Sequence, residues 1–232
     1  MTTLGFDIIS DLNLDENSDF HWDTKPTSLY CILAGNISNV PSVIYKTLKH
    51  LSKCYQGVFY IDGVKEHNSL TERDNVINDV TRICASLKNV VYLHNNVVVV
   101  DGIALVGVNG WGNYPTYTDS DRFQVKAFRY DDLVYLEKTI EKLQIHIDVK
   151  KILIISNSVP STAMYFGEKP QFDVDDVSLD IVLPVDTESK INYWIFGSYE
   201  KIVDIARNNI NYLSNPCYDR NPYYARRIDV DF

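Results

Sequence analysis

Cysteine is scarce and scattered in this chain. The four residues, Cys31, Cys54, Cys84 and Cys217, form no CxxC pair, which excludes the usual structural zinc and dithiol redox motifs. Cys31 and Cys84 fall in apolar patterns and read as small core residues, with a reduced, intracellular setting expected. No apolar run approaches membrane-spanning length, so no transmembrane helix is expected. The first residues, Met1 to Asp7, carry no basic leader ahead of an apolar stretch, and no signal peptide is expected. Basic charge is also short, with 22 Lys and Arg against 31 Asp and Glu and a formal net charge of −9. Such a field repels phosphate backbones and excludes nucleic-acid binding through a broad basic surface. Gly107-Val108-Asn109-Gly110-Trp111-Gly112 is glycine-rich but is not a GxGxxG phosphate loop. Ser156-Asn157-Ser158 lacks the GxSxG frame of a nucleophile elbow. His21, His50, His94 and His146 are isolated and form no ligand motif.

What remains is a chain of 232 residues, the size of one large domain. Apolar strand candidates are Phe6 to Ile9, Leu29 to Ala34, Gly57 to Ile61, Val90 to Leu93, Val97 to Val100, Ala104 to Val108, Ile152 to Ile155, Tyr193 to Phe196, Ile210 to Leu213 and Arg226 to Val230. Asp101-Gly102 between two apolar runs signals a hairpin. Ser38 to Pro41 reads as a capped helix start with proline in the first turn. Thr71 and Asp74 suggest a capping box opening a helix to Leu87, and Leu133, Leu136, Ile140, Leu143 and Ile147 mark another. Residues 160–192 have no sustained period and read as a long loop with one short helix near Asp175. The pattern suggests a single α/β domain over 1–232, with two mixed sheets packed as a sandwich and helices outside. A single doubly wound sheet is the alternative. The 16 tyrosines raise a protein interface as one explanation of their number.

Five strand-end loops carry the functional signal. They are Ser10-Asp11-Leu12-Asn13, Gly35-Asn36-Ile37-Ser38-Asn39, Asp62-Gly63-Val64-Lys65-Glu66-His67, Ser156-Asn157-Ser158-Val159-Pro160 and Gly197-Ser198-Tyr199-Glu200. Their order and spacing resemble the calcineurin-like metallophosphoesterases over nearly the whole chain, supported by Val97 to Val108 with Trp111 and by Trp194-Ile195-Phe196-Gly197. The resemblance implies the metallophosphoesterase sandwich. It also implies a two-metal centre that polarises phosphate and activates water. Two dications about 3.5–4 Å apart repel by roughly 18 kcal/mol at an effective dielectric of about 20, so the family relies on a bridging carboxylate.

The side chains at the ligand positions depart from the family. Asp11 keeps the first aspartate, but Asn13 stands at its histidine partner. Asn36 stands at the bridging aspartate, Val64 at the metal-binding asparagine and Lys65 at the catalytic histidine, while Gly63 and Glu66 match. Asn157, Ser198 and Glu200 stand at three further histidines. No imidazole remains among these positions, which removes the nitrogen donors favoured by zinc and iron. His67, two positions beyond the catalytic histidine, is expected as an exposed turn residue, and His50 and His146 as solvent-facing on helices.

The plainer reading of Asp11, Asn13, Asn36 and Asn157 is as turn and cap residues. The leading functional expectation is a catalytically degenerate metallophosphoesterase-fold protein, a pseudoenzyme with no catalytic residue. It would have no cofactor and a binding or structural role through a protein partner or self-association. Abundant Asn, Ile, Tyr, Asp and Lys are compatible with an AT-rich genome, which suggests a viral or phage assembly in the host cytoplasm or virion. The alternative is a divergent phosphoesterase holding a single hard ion, Mg, Mn or Ca, through Asp11, Asn36, Asn157 and Glu200. A third reading is a small-ligand sensor whose polar pocket is lined by Asn13, Asn36, Asn157 and Ser198, with Lys65 pairing an anion.

Overall fold

The computed structural model describes residues 2–16, 25–67, 70–112, 118–161, 189–217 and 223–232. The strands are β1 (Thr3–Ile9), β2 (Tyr30–Ala34), β3 (Gly57–Ile61), β4 (Val90–Tyr92), β5 (Asn96–Val100), β6 (Ile103–Val108), β7 (Lys151–Ser156), β8 (Ile191–Phe196), β9 (Val203–Arg207), β10 (Ile210–Ser214) and β11 (Arg226–Asp231). They form a five-stranded sheet in the order β11-β1-β2-β3-β4 and a six-stranded sheet in the order β5-β6-β7-β8-β10-β9. In the first sheet β1 to β4 run parallel and β11 antiparallel. In the second, β6, β7, β8 and β10 run parallel, while β5 and β9 are antiparallel edges. The two mixed sheets with outer helices are the α/β sandwich that the sequence suggests.

Period-two alternation assigns each strand residue to a layer. Phe6, Ile8, Ile32, Phe59 and Ile61 of the first sheet meet Leu105, Leu153, Ile155 and Ile195 of the second. The opposite face of the first sheet, with Cys31, Leu33, Val58 and Tyr60, packs under α1 (Pro41–Cys54) and α2 (Arg73–Ala85). The outer face of the second, with Val106, Ile154 and Phe196, packs under Leu136 and Ile140 of α3 (Asp119–Ile145). Cys31 and Cys84 are buried free thiols in the first of these helix-covered cores.

Helix starts differ in detail from the sequence reading. Pro41 does open α1, but the N-cap is Val40, whose side chain cannot accept a bond. The Ser38 hydroxyl accepts from the Val40 N–H instead, at 3.2 Å. α2 begins at Arg73 after a short 3-10 turn, Leu70–Glu72, without a side-chain cap. α3 starts earlier than its apolar period suggests, because Thr118 and Asp121 form a capping box. The short helix expected near Asp175 lies outside the described residues. Among the described residues, no helix is long and apolar enough to cross a membrane.

Parallel strands end together, and the ends of β1, β2, β3, β7 and β8 deliver the five loops to one rim. Open α/β sheets characteristically bind ligands at such carboxyl ends.

Candidate functional site

The chain turns sharply at these strand ends. Asp11 (φ 54°), Asn13 (φ 49°), Asn36 (φ 58°) and Ser198 (φ 51°) all adopt left-handed backbone. Asn and Asp tolerate this region because their short side chains bond locally, but serine has less excuse. Each such residue costs on the order of 1 kcal/mol or more and persists only where its surroundings hold it.

A closed hydrogen-bond circuit does the holding. Asp11 Oδ1 accepts from Asn36 Nδ2 at 2.8 Å and from the Ser198 N–H at 2.9 Å. Asn36 Nδ2 also donates to Ser198 Oγ at 3.0 Å, and Ser198 Oγ donates to Asn157 Oδ1 at 2.7 Å. Backbone groups fix both amide orientations. Asn36 Oδ1 accepts from the Lys65 N–H at 2.9 Å, and Asn157 Oδ1 from the Val64 N–H at 3.2 Å. Asn157 Nδ2 donates to the Ala34 carbonyl at 3.2 Å. Since a backbone N–H can only donate, neither amide can be flipped without losing a bond.

This circuit decides how the residues fit a metal. The Asn36 and Asn157 carbonyl oxygens already accept protein donors, as does Asp11 Oδ1. The remaining oxygen, Asp11 Oδ2, is buried and without a hydrogen-bond partner. Glu200 is exposed, whereas Asp11, Asn36 and Asn157 are buried. Asn13 is exposed too, its amide turned back onto the Asp11 carbonyl at 3.1 Å. Lys65 contributes its backbone N–H to the circuit. Among the described residues, no group of three or more His, Cys, Asp or Glu could hold a metal ion. The donor set does not fit the family's paired dications.

Packing closes the same space. A Cβ on Gly35 would stand 2.5 Å from Asn157 Nδ2, one on Gly63 at 2.6 Å, and one on Gly197 at 2.9 Å. Three bare backbones thus seat one amide.

Glu66 clamps two loops together. Its Oε2 accepts from the Asn36 N–H at 3.1 Å and the Gly63 N–H at 2.7 Å. Its Oε1 accepts from the Ile37 N–H at 2.6 Å and the Tyr60 hydroxyl at 3.0 Å. Burial pushes the Glu66 carboxyl up to about 7 despite these donors, and pushes Asp11 up to about 6.

Sequence reasoning misses a second cluster beside this rim. His67, expected in an exposed turn, is buried with Nε2 2.6 Å from Asp62 Oδ2. His94, isolated in the sequence, places Nδ1 3.3 Å from Asp62 Oδ1. Asp132 of α3 is also fully buried. The available signal is Asp62 itself, an acid directly after the fully buried strand β3.

No protein-family model matches the sequence, and no curated protein matches it in sequence. Among solved structures, the phosphopantetheinyl hydrolase PptH from Mycobacterium tuberculosis superposes with a TM-score of 0.65. The two chains are 13% identical over 96% of this chain and 95% of that one. The fold is the phosphoesterase fold. A putative 5'-nucleotidase from Staphylococcus aureus shares it, with a TM-score of 0.56 and 11% identity over 99% of this chain and 51% of that one. GAP50 of Plasmodium, described as the anchor in the inner membrane complex, matches with a TM-score of 0.52 and 11% identity. That match covers 92% of this chain and 71% of GAP50. At such identities the likeness concerns the phosphoesterase fold and not its chemistry.

Proposed function

We propose that this phosphoesterase-fold protein has lost two-metal catalysis and works as a binding or structural component, within a viral or phage assembly. The observation that carries the reading is the locked pair of amides. Asn36 and Asn157, which stand at an aspartate and a histidine position of the resembled family, turn their oxygens to the Lys65 and Val64 N–H groups. Glu200 is exposed while Asp11, Asn36 and Asn157 are buried, a difference that supports this reading over the single-cation alternative. GAP50, a phosphoesterase-fold neighbour described as an anchor, supports a scaffolding role on this architecture.

Calorimetric titration with Mn²⁺, Mg²⁺ and Ca²⁺, paired with a generic phosphodiester assay, tests this. The expected result is neither binding heat nor turnover that depends on Asp11. Hydrolysis with Mn²⁺ that disappears in Asp11→Ala would establish the single-ion phosphoesterase instead.

A stability measurement gives an independent check. The Asp11 carboxyl is raised from 3.8 to about 6, chiefly by burial. A raised acid stabilises the fold fully below about 3.8, and that contribution is lost as pH rises through about 6. Asp11→Asn, an isosteric neutral replacement, is therefore expected to raise stability on the order of 1–3 kcal/mol at alkaline pH. At acid pH the gain should vanish. Urea denaturation of both proteins across that range would measure it, and a loss of stability at alkaline pH would show that the ionised group is needed.

A further inference from the structure

Asp62 ends β3 in the first sheet, and the chain enters the second sheet through Leu93, His94 and Asn95, between β4 and β5. Around that crossing lies an acid–imidazole cluster that shares no side chain with the asparagine circuit but is joined to it through loop 62–67. Asp62 is fully buried and faces His67 Nε2 at 2.6 Å, His94 Nδ1 at 3.3 Å and Asn109 Nδ2 at 3.4 Å. Asn109 follows β6 and also donates to the Asp62 carbonyl at 3.1 Å. Asp132 of α3 accepts from Asn95 Nδ2 at 2.9 Å and the Gly110 N–H at 2.8 Å. Tyr92 stacks on His94 with ring centres 5.6 Å apart. Arg73, at the start of α2, lies over Trp111, 5.0 Å from its ring centre, and Trp111 in turn contacts the His67 ring at 4.8 Å.

An ionised carboxylate this deep needs a countercharge. His67 Nδ1, the ring nitrogen away from Asp62, is buried and without a hydrogen-bond partner. His94 has a side chain 13% exposed and so retains a route to water.

We propose that His94 is a proton-operated clasp between the sheets: its imidazolium is the countercharge of Asp62, and its deprotonation loosens the loop 62–67 from β6 and α3. The groups facing the ring are Asp62 and His67 from the first sheet's rim, Tyr92 from β4, Asp132 from α3 and Arg73 from α2. Asp62 and Asp132 favour the proton, Arg73 and burial oppose it, and the balance raises the ring above the ordinary 6.5. A raised histidine stabilises the fold fully below about 6.5, and the contribution is lost as pH rises through the folded value. The same loop presents Lys65 and Glu66 to the asparagine circuit, so loss of the proton reaches the rim. The clasp operates whether or not that rim is catalytic.

The test is an NMR titration of the imidazole signals in labelled full-length protein, with His94 assigned through its contacts with the stacked Tyr92 ring. It is combined with amide hydrogen exchange of residues 62–67, corrected for the intrinsic pH dependence. The expected midpoint of His94 lies above 6.5 and falls in Asp132→Asn. Exchange of the loop should rise several-fold across that midpoint in the native chain and stay fast at every pH in His94→Gln. A His94 midpoint at or below 6.5, or loop protection in the native chain that does not vary with pH, overturns the proposal. Both deciding measurements use the native protein, so the outcome holds even if a variant fails to fold.

Discussion

Glu66→Ala is expected to cost about 4 kcal/mol or more. The carboxylate accepts three backbone N–H groups, of Asn36, Ile37 and Gly63, together with the Tyr60 hydroxyl. Alanine leaves those donors buried without acceptors, at about 1–3 kcal/mol each. The lost groups lie at the junction of the β2-end and β3-end loops, so the left-handed Asn36 loses its main support. Glu66→Gln should fall between the native protein and alanine, since its amide keeps one acceptor oxygen and turns two donors toward a neighbouring donor. Urea denaturation should show a lower midpoint with an unchanged slope. A loss below about 1 kcal/mol for alanine would mean the loops hold themselves and the clamp is incidental.

The pH dependence of the same residue has a definite sign. Burial raises the Glu66 carboxyl from 4.5 to about 7. Its contribution to stability is full below about 4.5 and is lost as pH rises through about 7. The native chain should therefore gain stability as the solution is acidified from pH 8 toward 5, and Glu66→Gln should show a shallower gain over that window.

Gly107→Ala is the second large effect, expected at about 3 kcal/mol or more because overpacking a closed core has no inexpensive relaxation. Gly107 lies in β6, and a Cβ there would overlap both the Cβ and the carbonyl oxygen of Leu93 and stand 3.0 Å from its carbonyl carbon. Leu93 cannot retreat easily. Its N–H is held by the Tyr60 carbonyl at 2.8 Å and its carbonyl accepts from the Asn96 N–H at 3.2 Å. This is where the chain passes from one sheet to the other, so backbone meets backbone where side chains normally space the layers. For a chain of this length the expected fall in melting temperature is about 6–12 °C. An unchanged melting temperature would show that the sheets can part without cost.

Much of the architecture is legible in the residue order. The apolar runs alternate or stay continuous as their burial requires, so strands such as Cys31 to Ala34 and Leu153 to Ile155 are placed by their hydrophobic pattern alone. Asp101-Gly102 closes β5 onto β6 with both residues at positive φ, as that dipeptide prefers. Gly107 falls within the strand expected over Ala104 to Val108, but its need to be glycine is not legible, because sequence carries no mark of which backbone will lie against it. His67 and His94 are separated by 26 intervening residues and look unrelated until β3 and β4 pair in register and bring both to Asp62.

Residue identity alone determined which donor groups stand at the strand ends. With asparagine, valine, lysine and serine at the strand ends, the imidazoles and bridging carboxylate of the resembled family are gone, and no folding can restore them. Tertiary structure decided what took their place: parallel strands ending side by side brought the Asn36 amide within 3 Å of both the Lys65 N–H and the Asp11 carboxylate. Whether an asparagine oxygen stays open to a cation or is taken by a neighbouring N–H depends on that juxtaposition, because a hydrogen bond is a matter of distance and direction and the linear order specifies neither.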